Sequence, residues 1–181
     1  MLKTHGNIEY WSSNIANYIK TNGGHPDVSV GTMRFALQLW ISSFLIFIIS
    51  LGFGLLMGTA LQTLLFLGVF GILRYFSGGW HLRNIDSCVL VTVSLAVSIT
   101  LIPAISENVF YFTNVFSLLL VLWLAPTGHG QRFKSITQRK MFKWIAATMI
   151  VLSFVHINQI VSLSILCQSI TLLTPKGGEK P

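Results

Sequence analysis

The sequence predicts an all-α membrane protein: an interfacial amphipathic helix at the N-terminus, then about six transmembrane helices, with five as the alternative count. Three observations carry this. Of 181 residues, 52% are hydrophobic and only 9% are charged, where a soluble domain carries about 25% charged residues. The mean hydropathy is +0.69. The apolar residues also fall in long runs, and the basic residues gather in the polar stretches between them. Lipid accepts apolar surface, so no water-soluble core is required, and the length suits a single integral domain over residues 1–181.

The same composition narrows the partners. A formal charge of +7 would suit nucleic acid, but no basic segment is interleaved with aromatic stacking residues, so no nucleic-acid partner is expected. Cytoplasmic loops of membrane proteins collect Lys and Arg, and the lipid bilayer accounts for the charge better. Two cysteines are too few for a disulfide framework. Cys167, between Leu166 and Gln168 in an apolar run, reads as a small packing residue. Residues 1–34 lack the continuous apolar core of a signal peptide.

Each element follows from its pattern. In residues 7–20, Ile8, Trp11, Ile15 and Ile19 recur at helical spacing, with Glu9, Ser13, Asn14 and Asn17 largely on other faces. This is either a short packing helix or one lying in the membrane interface. Gly23, Gly24 and Pro26 then break it. Residues 35–73 are almost uncharged and too long for one span of about 20 residues. "SLGFG" at 50–54 reads as the turn, giving spans near 35–51 and 55–73. A first polar loop, 74–87, leads to a third span from Cys88 to about Ala104. A turn at 103–108 precedes a fourth span ending near Ala125. A basic loop at 126–143 follows. The last apolar run, 144–173, is long for one span and short for two. His156, Asn158 and Gln159 offer a polar break at its middle.

Charge favours six spans. With a cytoplasmic N-terminus, the basic residues at 3, 20 and 34, at 74 and 83, at 132–143, and at 176 and 180 all face the cytoplasm, and the outer turns hold none. Five spans would export Lys176 and Lys180. The first polar loop is thereby placed on the cytoplasmic side.

Within that loop lies "GGWHLRNIDSC", residues 78–88, with one of the two cysteines. A thiol acts as a nucleophile through its thiolate. The start of a helix favours negative charge, and Asp86 or Asn84 is suited to cap that helix, leaving Cys88 in its first turn. A nearby His81 supplies a general base. Seven residues along one helix separate two side chains by about 10.5 Å, too far for a hydrogen bond. A His81–Cys88 pair therefore requires the chain to bend back, through a turn around 82–86, and Gly78 and Gly79 supply permissive backbone beside it. The spacing alone leaves other readings open. His81 and Cys88 can be a coincidence of sequence, Arg74 and Arg83 topology anchors, and Asp86 a plain cap or a third member that orients His81. A carboxylate so near Cys88 also opposes thiolate formation. His81, Cys88, His129 and His156 show no close metal-motif spacing, so no metal or other cofactor is expected. No serine lies in a nucleophile elbow.

Arg74, "GGWH" at 78–81, Cys88 at the head of a span and "APTGHGQRFKSITQRK" at 125–140 occur in an order that resembles the accessory gene regulator protein B family. Those are bacterial membrane endopeptidases that process a quorum-sensing propeptide. The resemblance covers most of the chain, and its Arg-x4-Gly-x-His-x6-Cys pattern is specific on this hydropathy frame. It implies a multi-pass protein of the bacterial cell membrane with Cys88 as nucleophile and His81 as its base. Arg74 and Gly79 match further motif positions, while Lys134, Arg139 and Lys140 match a basic loop in character only. The implied reaction is cleavage of the C-terminal part of an AgrD-like propeptide through an acyl-thioester on Cys88, followed by closure of a thiolactone or lactone ring. The basic loop then suits an acidic leaving segment, and helix-start N–H groups or Arg74 suit an oxyanion. Dimerisation is expected from the resemblance alone. Gly78 and Trp80 beside the histidine, and the tail "TPKGGEKP", depart from some relatives and leave the cognate peptide open.

Two functions of other classes compete: a small peptide transporter and a non-catalytic membrane scaffold. Polar residues in the last apolar run favour transport. The spans hold no acidic or basic residue of the kind that coupled transport often places there.

Overall fold

A computed structural model describes residues 6–23, 28–79, 85–126, 135–155 and 157–173. Seven helices account for nearly all of these: α1 Asn7–Thr21, α2 Val30–Leu56, α3 Ala60–Ser77, α4 Ile85–Thr100, α5 Glu107–Leu124, α6 Ile136–Ser153 and α7 Gln159–Ile170. The protein is an all-α membrane protein. α2, α3 and α5 are each long and apolar enough to cross a bilayer, and α4 and α7 are shorter apolar helices.

α2 shows why lipid is required. Of its 27 residues only Ser50 and Gly54 are buried, while Phe35, Trp40, Phe44, Phe47, Ile48 and Phe53 stand exposed. An apolar helix that covers so little of itself against protein needs a hydrocarbon surround. At 1.5 Å per residue it is about 40 Å long, enough to cross the roughly 30 Å hydrocarbon layer with length to spare.

The expected turn at 50–54 is corrected. Gly52 and Gly54 are helical, and the chain turns at Met57–Thr59 instead, where Gly58 has φ 69°. Gly54 serves close approach: a Cβ there would lie 2.5 Å from Thr63 Oγ1 and 3.3 Å from the Ala60 Cα. Two later breaks fall where expected. α4 ends before the 103–108 turn, and the run 144–173 divides between Ser153 and Gln159. Asn158 starts α7 by accepting hydrogen bonds from the backbone N–H groups of Ile160 and Val161.

α7, only 12 residues long, is the centre of the bundle. Ile165 and the following Leu172 pack with Leu73 of α3, Val121 of α5 and Ala146 and Ile150 of α6. Ile160 packs with Phe66 and Phe70 of α3 and with Ala96 and Ile99 of α4. Ser162, Ser164, Gln168 and Ser169 are fully buried, and the Ser162 hydroxyl lies 2.6 Å from that of Thr113 on α5. Small and polar residues let helices approach and hydrogen-bond where lipid offers no hydrophobic drive between them.

α1 packs on α2 and α4. Its buried positions are Ile8, Ser12 and Ala16, whereas Trp11 is 62% exposed and Ile15 and Ile19 stand in the exposed class. Of the expected apolar face only Ile8 is turned inward, and small residues make the rest of the protein contact.

Candidate active site

Cys88 lies in the first turn of α4 as a free, half-buried thiol. α4 begins at Ile85, three residues before the expected start of the span. Its ladder is reinforced at Cys88, whose carbonyl accepts a 2.9 Å hydrogen bond from Thr92 Oγ1. α3 ends at Ser77, α4 begins at Ile85, and the two helices pack together. Of the expected turn at 82–86, Ile85 and Asp86 are already helical, and 82–84 lie outside the described residues. His81 itself lies outside the described residues, as do Trp80, Arg83, Asn84, Lys134, His129 and His156.

Asp86 has a task that was not anticipated. Its carboxylate accepts hydrogen bonds from the backbone N–H groups of Asn7, at 2.7 Å, and Ile8, at 3.2 Å. It therefore caps α1 from 79 residues away, whereas the cap of its own helix α4 was expected. The residue before α1 is Gly6, which has no side chain to offer, so two of the free donors at that helix start are met by a carboxylate from α4. The first turns of α1 and α4 are pinned together two residues from Cys88.

Arg74 belongs to the last turn of α3, with its guanidinium carbon 5.9 Å from the centroid of the Phe70 ring. That is within the range of a cation–π contact. Gly78 closes α3, its N–H donating to the Arg74 carbonyl at 3.0 Å. Its φ of 77° and ψ of −146° lie beside a backbone region open essentially to glycine. Gly79 follows at φ 138°. Both expected glycine positions are thus conformationally required. Gln168, previously noted only as a neighbour of Cys167, reaches this corner: its Nε2 donates to the Gly78 carbonyl at 2.6 Å. The available signal was a glutamine within an apolar run, since polar groups inside a membrane bundle need partners.

The expected basic loop, 126–143, is corrected in its second half. Arg139, Lys140 and Lys143 belong to α6. Ser135 caps this helix by accepting from the Gln138 N–H at 3.2 Å. "SITQ" at 135–138 carries the Ser-x-x-Gln spacing of a capping box. Arg139 and Lys140 are exposed on its first turns. Phe142, beside them, packs its ring 5.9 Å from Tyr75 and 5.3 Å from Phe76, centroid to centroid. The basic start of α6 therefore sits by the end of α3 that carries Arg74 and Gly78.

The starts of α1, α4 and α6 and the ends of α3 and α7 thus meet at one end of the bundle, with Cys88 on it. Residues 12–172 match the family model described as Accessory gene regulator B. No match was found among curated proteins or among solved structures. The matched range takes in α2 to α7 and every candidate residue above. The chain belongs to the accessory gene regulator B family, and its role is in the processing of a quorum-sensing peptide.

Proposed function

We propose that the chain is a cysteine endopeptidase that cleaves a cytoplasmic signal propeptide and cyclises the retained part. His81 takes the Cys88 proton, and the thiolate attacks the scissile carbonyl. The C–N bond breaks, the imidazolium returns its proton to the leaving amine, and the N-terminal part of the peptide remains as a thioester on Cys88. A Cys or Ser of that peptide then attacks the thioester carbonyl, closing a thiolactone or lactone and freeing Cys88. The thioester conserves acyl energy, so ring closure needs no ATP. First-turn N–H groups of α4, or Arg74, stabilise the oxyanion. Lys134, Arg139 and Lys140 draw an acidic leaving segment to the same end. Six spans with Cys88 at the cytoplasmic face complete the reading.

The observation that carries it is Cys88: a free, half-buried thiol on the first turn of a helix, inside a chain that matches a peptide-processing family over 161 residues (12 to 172). The test is co-expression with the cognate propeptide. Cys88→Ala and His81→Ala, at unchanged protein level, should each lower cleavage by about two orders of magnitude or more, as loss of a nucleophile or its base does. Cleavage at the parent rate by Cys88→Ala removes the mechanism. A peptide adduct on Cys88 in the mass spectrum distinguishes a cyclase from a simple hydrolase.

A further inference from the structure

The exposed apolar surface of α3, α5 and α6 is short along the bundle axis. Its stripes run from Leu61 to Tyr75 on α3, from Phe112 to Trp123 on α5, and from Trp144 on α6 to Val155 just past its end, with each of these residues exposed. At 1.5 Å per residue they are about 21, 17 and 17 Å long, against a hydrocarbon layer of roughly 30 Å. α6 packs against both α3 and α5, so the three stripes adjoin. α2, at about 40 Å, can cross either thickness by tilting and sets no limit.

Both edges of the band are marked. Leu73, Val121 and Ala146 meet in one core cluster, and the exposed rings of Tyr75, Trp123 and Trp144 lie two residues nearer the Cys88 end, at one level. Trp and Tyr favour the boundary between hydrocarbon and headgroups. At the far end Gln159 accepts from the Ile105 N–H at 3.1 Å and donates to the Ile102 carbonyl at 3.3 Å, holding the irregular link between α4 and α5. Leu101 and Ala104 in that link are exposed, and lipid-exposed irregular backbone stands outside the hydrocarbon. From Gln159 to Leu172, a member of the same cluster as Leu73 and Val121, is about 20 Å.

A short band is matched by long side chains that reach outwards, by association of copies, or by thinning of the bilayer. At the Cys88 end Arg74, Arg139, Lys140 and Lys143 can reach outwards. At the far end residues 57–59, 101–107 and 154–158 include no Lys or Arg, so the lipid itself must come down to the protein.

We propose that the face formed by α3, α5 and α6 thins the bilayer beside it to about 20 Å, chiefly in the leaflet away from Cys88, and takes phospholipids with short acyl chains as its preferred neighbours. The inference rests on the six-span arrangement proposed above and is independent of the chemistry assigned to Cys88.

The test uses the full-length chain in dioleoyl phosphatidylcholine vesicles with one tryptophan as reporter. This is Trp123, or Phe112→Trp with Trp123→Phe, the other tryptophans being replaced by Phe. Quenching is compared between lipids brominated at the headgroup end and at the methyl end of the acyl chain. Both reporters should be quenched most from the headgroup end. Across an undistorted layer of about 30 Å, residue 112, about 17 Å from Trp123, lies near the midplane, so strongest quenching there from the methyl end overturns the inference. Tyr111→Trp serves if Phe112→Trp does not accumulate. In mixtures with brominated dioleoyl lipid, dimyristoleoyl phosphatidylcholine should relieve quenching at residue 112 at least about twofold better than the dierucoyl lipid, and equal relief overturns the preference. Weak quenching there by every brominated lipid, as a second copy seated on α5 would give, overturns the inference too. With Cys88 and Cys167 replaced, an impermeant thiol reagent outside sealed right-side-out vesicles should label Ala104→Cys and spare Thr137→Cys. Labelling of both removes the spanning arrangement itself, and the inference with it.

Discussion

Asp86 and Cys88 are two positions apart on α4, yet the contacts of Asp86 run to a different helix. Both carboxylate oxygens accept N–H groups of α1, a bond pair that no local pattern announces because its partners are 79 and 78 residues away. Asp86→Ala leaves those donors uncapped and should cost about 1 kcal/mol, the usual loss on removing a helix cap. Hydrogen exchange should then quicken at residues 7–10 while α4 keeps its protection. Unchanged exchange there would mean that the cap contributes nothing. The Cys88 position was readable because a polar stretch ending in cysteine at the edge of an apolar run marks a helix start. Gln168 was not. Its importance comes from contact with Ser77 and Gly78 across 91 and 90 residues, and sequence spacing carries no trace of such a meeting.

Among the elements, α2 shows how a glycine misleads. "SLGFG" reads as a turn in water-soluble logic, but a membrane helix also uses glycine to bring another helix close. The two glycines separate cleanly on substitution. A Cβ at Gly52 meets nothing within 4 Å, whereas one at Gly54 meets Thr63 and Ala60. Gly52→Ala should leave the thermal midpoint in detergent unchanged or slightly higher. Gly54→Ala should lower stability by about 1–3 kcal/mol through overpacking, and equal midpoints for the two would contradict the close α2–α3 approach. α1 shows a related inversion. Periodicity located its apolar stripe, but Ser12 and Ala16 face protein while Trp11 stays outside, because lipid takes apolar surface as readily as a core does. In α6 the cap at Ser135 was present in the sequence and was outweighed by basic residues that resemble a loop.

At the scale of the whole molecule, alternating helices carry the basic residues Arg34, Arg74, Arg139, Lys140 and Lys143 towards the end that holds Cys88. The positive-inside rule is the ground on which we propose that this end is cytoplasmic. With Cys88 and Cys167 replaced, a membrane-impermeant thiol reagent should label Met57→Cys and Ala104→Cys in intact cells and spare Lys180→Cys. Labelling at 180 from outside would refute six spans. The division of 144–173 into two helices was only half visible beforehand, because α7 looks too short to span alone. It is enclosed by α3, α4, α5 and α6, so other helices rather than lipid cover most of its buried face. That enclosure has a consequence for biosynthesis. α7 follows its four neighbours in the chain, so they leave the ribosome and meet the bilayer before the helix they surround exists. Their inward faces are covered only when residues 159–172 arrive, and the hydrogen bond of Gln168 to the Gly78 carbonyl forms with them. A nascent chain stopped before α7 therefore holds Cys88 on an unfinished scaffold.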